Sequence, residues 1–167
     1  MNTTCLIPVF NEHYRILKVL DQVIKVKTFD EIVCVDDGSI DGTAELIKKQ
    51  YPGIKLVINP KNLGKTEAVK IGLEYSRGTY IFLLDADLRN LNYQEIENAV
   101  VKTKDNVKVD MVILRRVNAP LIIKLNRGDI LLSGERILKK NDLNKILQDG
   151  KDKPTGFQLE FAINKYM

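Results

Sequence analysis

The 167-residue chain carries a net charge of +4, and 44% of its residues are hydrophobic and 29% charged. This length suits one compact core, so we expect a single domain over residues 1–167. No apolar run approaches the roughly 18 residues that a membrane-spanning helix needs. Because a strand-like run begins at Thr3, we also expect no signal peptide. These features predict a cytoplasmic protein without a membrane-spanning helix.

Charge is unevenly distributed along the chain. Residues 101–167 hold 14 of the 26 Lys and Arg residues but 8 of the 22 Asp and Glu residues, which is a net +6. The other 12 basic and 14 acidic residues give residues 1–100 a net −2. A basic C-terminal third suits a surface that meets phosphates or an acidic membrane. A solvated basic face explains the same pattern equally well.

Strand-like and helix-like patterns alternate along the chain. Apolar runs predict strands over residues 3–9, 32–35, 54–58, 80–84, 109–114 and 129–133. Helical spacing predicts a helix after Asn11, capped by Asn11, and a second over 44–50, capped by Asp41 or Thr43. Further helices are predicted up to about residue 77 and over 93–104, 142–148 and 157–167. This order predicts an α/β fold with a mostly parallel sheet and helices on both faces.

Cys5 and Cys34 lie inside two of the strand-like runs. Free cysteine in such a setting behaves as a small hydrophobic residue. We therefore expect both to be reduced core residues of a cytosolic protein.

Two carboxylates follow one of the longest apolar runs. Residues 80–84 predict a fully buried strand, and Asp85-Ala86-Asp87 comes directly after it. Open α/β sheets bind their ligands at the carboxyl ends of the strands. If the strand continues through them, Asp85 and Asp87 point the same way and form an oxygen-only site suited to Mg²⁺ or Mn²⁺. A solvated acidic turn is the alternative.

Three other segments carry polar residues at the ends of predicted strands or helices. The first strand ends in Pro8-Val9-Phe10-Asn11-Glu12, the second ends in Asp36-Asp37-Gly38-Ser39, and Asn62-Leu63-Gly64-Lys65 opens the third helix. The second segment offers carboxylates and backbone N–H groups that can bind a base and a ribose. Lys65 at a helix N-terminus is well placed for a diphosphate.

Several other kinds of site do not fit the residues present. His13 is the only histidine and no serine elbow occurs, so a Ser-His-Asp hydrolase is excluded and we expect His13 at the surface. Lys48 stands where a calcium loop needs a bidentate glutamate. Asn59 stands where a Walker P-loop ending in Gly64-Lys65-Thr66 needs its first glycine.

An apolar cluster at residues 119–125 is flanked by Arg116 and Arg127 and contains Lys124. It fits a short amphipathic element lying on a membrane surface. It fits equally well a segment that covers the core.

The four motifs together, in this order, resemble the family 2 glycosyltransferases, which have the nucleotide-binding GT-A fold. The resemblance is close over residues 3–100 and looser beyond. The chain is most similar to the dolichol- or polyprenyl-phosphate mannosyl- and glucosyltransferases. That type carries residues comparable to Arg115-Arg116, Ser133-Gly134-Glu135-Arg136 and Gly156-Phe157-Gln158-Leu159-Glu160. The chain contains no Trp and so lacks the Gln-X-X-Arg-Trp signature of processive polysaccharide synthases.

The resemblance implies inverting transfer of a sugar from a UDP- or GDP-linked donor, with Mg²⁺ or Mn²⁺ as cofactor. It also implies a donor-binding part over about residues 1–115 and a reduced acceptor part over 116–167. The implied acceptor is a polyprenyl or dolichyl phosphate, met by a peripheral protein at the cytoplasmic face of a membrane. No nucleic-acid partner is expected.

The resemblance also implies roles for individual residues. The metal would be held by Asp85 and Asp87, and Asp87 and Glu160 would be catalytic, although Glu160 is also explained as a solvated helix carboxylate. The acceptor phosphate would be contacted by Arg115, Arg116 and Arg136. The nucleotide-sugar would be bound by Pro8, Phe10, Asn11, Glu12, Asp36, Asp37, Gly38, Ser39, Gly64, Lys65, Asp85, Ala86 and Asp87.

Two alternatives stay open. Members of this family usually continue with further acceptor-binding elements, so a sugar-nucleotide-binding module without turnover is one alternative. A nucleotidyltransferase is the other, because it uses a similar metal at the edge of the sheet. It would usually carry a Gly-X-Gly-Thr-Arg-like turn after the first strand, where this chain has Phe10-Asn11-Glu12.

Overall fold

The computed structural model describes residues 1–106, 109–114, 134–148 and 158–166. Within these ranges, six strands form one sheet in the order β3-β2-β1-β4-β6-β5. Strands β1 to β4 are parallel, whereas β6 runs antiparallel to its neighbours β4 and β5. The strands are β1 Thr3–Val9, β2 Glu31–Asp36, β3 Lys55–Ile58, β4 Tyr80–Leu83, β5 Met111–Ile113 and β6 Arg136–Lys139.

Helices cover both faces of the sheet. They are α1 Ile16–Val23, α2 Thr43–Gln50, α3 Lys65–Tyr75, α4 Tyr93–Asp105, α5 Lys140–Gln148 and α6 Gln158–Tyr166. Alternate strand side chains point to opposite faces, and the buried residues form two clusters accordingly. Helices α1, α2 and α4 pack on the face that carries Ile7 and Phe82. Helices α3, α5 and α6 pack on the face that carries Leu6 and Ile81. The predicted layered α/β fold with a mostly parallel sheet is confirmed.

The two cysteines belong to this core, as predicted. Cys5 and Cys34 are free and fully buried. Burial raises the pKa of the Cys34 thiol to about 12, so the unreactive thiol form dominates at neutral pH.

Pro8 fits the central strand β1 because of where β4 ends. The N–H of Leu84 donates to the carbonyl oxygen of Leu6 at 3.1 Å, so the backbone of Leu6 faces β4. Backbone groups alternate sides along a strand, and Pro8 therefore also faces β4, beyond Leu83, its last residue. The hydrogen bond that proline cannot donate is not needed there. Strands β1 and β4 can therefore separate beyond Leu83, at the carboxyl edge of the sheet.

The structure differs from the sequence analysis at three places. Helix α1 has Arg15 at its N-cap position rather than Asn11, which instead has a left-handed backbone with φ of 53°. Strand β6 was not predicted, because its four residues begin with Arg136 and end with Lys139 and therefore lack an apolar run. The alternative interpretation of Glu160 as a solvated helix carboxylate is wrong, because this residue of α6 is 3% exposed. The strand predicted at 129–133 lies outside the described residues.

None of the helices described above combines the length and the apolar character that crossing a membrane requires.

Candidate active site

A cleft of about 390 Å³ opens at the carboxyl edge of the sheet, beside the N-terminus of α3. The chain segments that follow β1, β2 and β4 meet there, as parallel strand ends do in open α/β sheets. Most of the residues predicted to bind the donor line this cleft. They are Pro8, Phe10, Glu12, Asp37, Gly64, Lys65, Asp85, Ala86 and Asp87.

Asp37 anchors the loop that leads into α3. The residue is 3% exposed, and its carboxylate accepts hydrogen bonds from Asn59 Nδ2 at 2.8 Å and from the Gly64 N–H at 2.8 Å. The N–H of Leu63 donates to both of its oxygens, at 3.0 and 3.1 Å. This hydrogen bonding compensates for the burial of the charge. Asp37 thereby fixes the floor of the cleft and the start of α3.

The neighbouring predicted residues Asn11, Asp36, Gly38 and Ser39 do not line the cleft. Asp36 is fully buried and its Oδ1 accepts from the Ser39 N–H at 2.8 Å. Gly38 has a φ of 76°, and a Cβ there would lie 2.7 Å from Lys61 Cα, so only glycine fits this close approach. These residues shape the turn that supports the cleft.

Hydrogen bonds join the turns after β1 and β2 to each other. Asn11 donates its N–H to Ser39 Oγ at 2.9 Å and accepts from the Ile40 N–H at 3.0 Å. The N–H of half-buried His13 donates to Asp41 at 3.1 Å. Asp41 also accepts from the N–H of Thr43, the first residue of α2, although Gly42 occupies the cap position. Asn11 and Ser39 therefore fix the relative position of the two turns.

Lys65 is the centre of a network of charged side chains at the inner wall of the cleft. Its Nζ donates to Asp85 Oδ1 and to Glu160 Oε1, both at 2.7 Å. Burial by itself would lower the pKa of Lys65, but the charges of Asp85 and Glu160 raise it above its ordinary value. The ammonium is therefore fully charged at neutral pH. This network links α3, the end of β4 and α6.

Arg136 lies deeper than Lys65 and does not line the cleft. Its side chain is fully buried, and Nη1 donates to Asn164 Oδ1 at 2.5 Å. Burial lowers the pKa of the guanidinium, although Glu160, Glu135 and Asp85 oppose this change. Arginine nevertheless stays protonated in proteins, so Arg136 supplies a fixed positive charge behind the network.

Asp85 and Asp87 differ in their surroundings. The chain leaves β4 after Leu83, and both aspartates lie in the segment that follows. Asp85 is engaged by Lys65, whereas Asp87 is exposed and makes no hydrogen bond or ion pair within the described ranges. No group of three or more His, Cys, Asp or Glu side chains that could hold a metal occurs among the residues that the structure describes. The two aspartates fit a Mg²⁺ or Mn²⁺ ion that takes its remaining ligands from phosphate oxygens and water.

The sequence prediction missed several residues that build the site. Asn62 lines the cleft, and it belonged to the Asn62-Leu63-Gly64-Lys65 motif that could have identified it. Asn59 supports Asp37 from the end of β3, and its only signal in the sequence is a mismatch with a P-loop. Gly134 lies against Asp85, since a Cβ there would be 2.6 Å from Asp85 Cγ. Arg115, Arg116 and the cluster at 119–125 lie outside the described residues.

Two curated relatives are similar to most of this chain. The dolichyl-phosphate beta-glucosyltransferase ALG5C of Trichomonas vaginalis is 32% identical over 139 residues, covering 75% of this chain and 41% of the relative. The dolichyl-phosphate beta-glucosyltransferase of Dictyostelium discoideum is 30% identical over 159 residues, covering 87% of this chain and 45% of the relative. The chain therefore spans less than half the length of these relatives.

A solved structure has the same fold. Glucosyl-3-phosphoglycerate synthase from Mycobacterium tuberculosis, crystallised with Mn²⁺ and UDP-glucose, superimposes with a TM-score of 0.76. The match covers 98% of this chain and 63% of that chain at 21% identity. It confirms the GT-A fold expected from the sequence.

The family model described as glycosyl transferase family 2 matches residues 4–160, a range that begins in β1 and ends at Glu160. It includes the four strand-end and helix-end motifs that meet at the cleft. The chain therefore belongs to glycosyl transferase family 2.

Proposed function

We propose that this chain transfers a sugar from a UDP- or GDP-linked donor to a polyprenyl- or dolichyl-phosphate type of acceptor, with a divalent metal. The observation that carries the proposal is the convergence of Asp37, Lys65 and Asp87 on one cleft from three different chain segments. Family membership supports the transfer chemistry. The two relatives named for dolichyl-phosphate glucosyl transfer support the class of acceptor.

The charges in the cleft suggest a role for each of these residues. The nucleoside would lie at the Asp37 end, and the Lys65 ammonium would neutralise charge on the diphosphate. Asp87 would be the main protein ligand of the metal because its carboxylate has no protein partner among the described residues. A bound Mg²⁺ or Mn²⁺ would stabilise negative charge on the departing nucleoside diphosphate. The synthase structure with Mn²⁺ and UDP-glucose supports this choice of metal and donor.

The buried position of Glu160 suits a lipid phosphate as the acceptor, because such an acceptor needs no general base. This acceptor is already anionic, so it can attack the sugar without a general base. Glu160 is 3% exposed and is hydrogen-bonded to Lys65 rather than open to the cleft.

Two further parts of the proposal stay predictions. They are contact of the acceptor with Arg115, Arg116 and Arg136, and peripheral binding to a membrane.

The first test is Asp87→Asn, which keeps the size of the side chain but removes its charge. We expect wild-type protein to bind UDP or GDP with Mn²⁺ and to lose most of this affinity when the metal is chelated. In Asp87→Asn, we expect the affinity measured with Mn²⁺ by calorimetry to fall at least about tenfold, because the metal loses its main protein ligand. Asp105→Asn is the control, since Asp105 is exposed and does not line the cleft. Equal affinity of Asp87→Asn and wild type would refute the metal assignment.

A donor-binding module without turnover is the second candidate function. It is favoured by one observation: the chain spans only 41% and 45% of the two relatives described above. Incubation with UDP-glucose or GDP-mannose, Mn²⁺ and a polyprenyl phosphate separates the two candidates. Formation of a glycolipid supports the transferase, whereas donor binding without transfer supports the module. A nucleotidyltransferase would instead release pyrophosphate from a nucleoside triphosphate and a sugar 1-phosphate, and the family match disfavours it.

A further inference from the structure

Lys65 separates the open cleft from a second, nearly closed cavity. The second cavity is about 10 Å³, which is room for about one water molecule. Lys65 and Asp85 line both spaces, whereas Glu160 and Arg136 line only the small one. Glu160 therefore lies behind Lys65 as seen from the cleft. Glu160 can therefore affect a molecule in the cleft only by changing the position of Lys65 or by long-range electrostatic interaction.

The Lys65 ammonium has one donor left for a ligand. Two of its three N–H groups are used by Asp85 and Glu160 at 2.7 Å each. The Lys65 side chain is 30% exposed, whereas that of Glu160 is 4% exposed. Lysine is a compact charge on a flexible four-carbon stem. The ammonium can offer this third N–H to a ligand where it stands, but it can move further toward the cleft only by loosening its bonds to the two carboxylates.

Glu160 depends on Lys65 for its hydrogen bonding. Its Oε1 accepts from Lys65, while the buried Oε2 has no hydrogen-bond partner among the described residues. A buried carboxylate without a hydrogen-bonded cation is strongly unfavourable. When Lys65 moves toward a phosphate, Glu160 would lose this partner and keep only the through-space attraction of Arg136. Glu160 and an anionic ligand therefore compete for the same ammonium.

We propose that Glu160 is a positioning residue that holds Lys65 back from the cleft and that the donor diphosphate must draw Lys65 away from it. The inference rests on the proposed function, because it needs a diphosphate in the cleft. It assigns Glu160 an effect on donor affinity, in contrast to the catalytic role that the family resemblance implies. It also connects donor binding to α6, since Glu160 anchors this helix to α3.

The test is a double-mutant cycle read as the affinity for UDP and for GDP with Mn²⁺ at pH 7, measured by calorimetry. Glu160→Gln removes the charge but keeps the shape, and we expect about tenfold tighter binding because Lys65 is released toward the phosphates. Lys65→Met removes the ammonium and keeps much of the stem. In the Lys65→Met background, we expect Glu160→Gln to change the affinity by less than about twofold.

Glu74→Gln is the matched control, because it removes the same charge from α3 at an exposed position that is not in the cleft. We expect it to leave the affinity unchanged. If Glu160→Gln does not fold, Glu160→Met replaces it, since an apolar side chain of similar size suits a buried position.

Three outcomes would overturn the inference. Unchanged or weaker binding in Glu160→Gln shows that Glu160 does not restrain Lys65. Equal tightening with and without Lys65 shows a general effect of charge instead. If wild-type protein binds neither nucleotide, the proposed function itself fails and this inference falls with it.

Discussion

Buried carboxylates in this protein differ in how fully their oxygen atoms are hydrogen-bonded. Asp37 accepts from three different donors and Glu31 from three different residues. Glu160 leaves one buried oxygen without a partner among the described residues. Asp36, in the turn that supports the cleft, likewise has a buried Oδ2 without a partner among the described residues. Glu160 differs in that its partner Lys65 also lines the cleft and can therefore be drawn toward a ligand there.

At the residue scale, the stabilising effect of the hydrogen bonds to Glu31 can be tested through the pH dependence of stability. Its carboxylate accepts from Thr4 Oγ1 at 2.6 Å, from the N–H groups of Arg77 and Gly78, and from Arg77 Nε. Burial raises the pKa of Glu31, but these hydrogen bonds outweigh it and bring the pKa below its ordinary value of 4.5. The ionised side chain therefore stabilises the fold above pH 4.5, and this contribution is lost as the pH falls through the lower pKa of the folded state.

We expect Glu31→Gln to lower the free energy of unfolding by about 1–3 kcal/mol at pH 7, the usual size for hydrogen bonds to a charged group. Urea unfolding of both proteins from pH 7 down to about pH 3 measures this difference. The difference should shrink steadily below about pH 4.5. Glu74→Gln should show little difference at any pH, because Glu74 is exposed. A difference that stays constant down to pH 3 would contradict the assignment.

At the scale of elements, the strands and helices with clear apolar patterns could be predicted from the sequence. The arrangement of the site could be predicted only in part. Strand β1 and helix α4 were predicted to within one residue, because β1 is a continuous apolar run of strand-forming residues and the apolar residues of α4 recur at helical spacing. Strand β6 was missed because its pairing with β4 and β5, and not its own sequence, makes it a strand. The inward orientation of Glu160 could not be predicted, because it depends on how α6 packs against the sheet.

Gly134 shows how closely the segments next to β4 and β6 approach each other at the site. It precedes β6, and a Cβ at this position would lie 2.6 Å from Asp85 Cγ and 2.7 Å from Oδ1. In Gly134→Ala we expect the Asp85 side chain to move, because a carboxylate end yields more easily than backbone. Affinity for UDP or GDP with Mn²⁺ should therefore fall about tenfold, while the unfolding free energy changes by no more than about 1 kcal/mol. Gly53→Ala is the control, since a Cβ at Gly53 meets no atom within 4 Å. Unchanged affinity in Gly134→Ala would show that the position of Asp85 does not affect binding of the nucleotide and the metal.

At the scale of the whole molecule, the parallel sheet determines which motifs meet. Because parallel strands end at one edge of the sheet, the sequence alone predicts that Pro8, Asp37 and Asp85 lie at that edge. The same rule does not say which carboxylate faces solvent and which is paired with a lysine. That difference between Asp87 and Asp85 depends on contacts with α3 and α6, which are far apart in the sequence.

Because the cleft is built from segments after β1, β2 and β4, a ligand there should stabilise the domain as a unit. A ligand that binds only the folded state at about 100 times its Kd adds about 2.7 kcal/mol of stability. For a domain of this size, we expect the unfolding midpoint to rise by about 5–10 °C with saturating UDP or GDP and Mn²⁺. A thermal-unfolding scan measures the shift, and EDTA should abolish it. Asp87→Asn should show a clearly smaller shift, because a tenfold weaker affinity reduces the gain in stability at the same ligand concentration to about 1.4 kcal/mol. Asp105→Asn should shift like wild type. A shift that persists in EDTA would mean that the nucleotide binds without the metal, and Asp87 would then lose its proposed role.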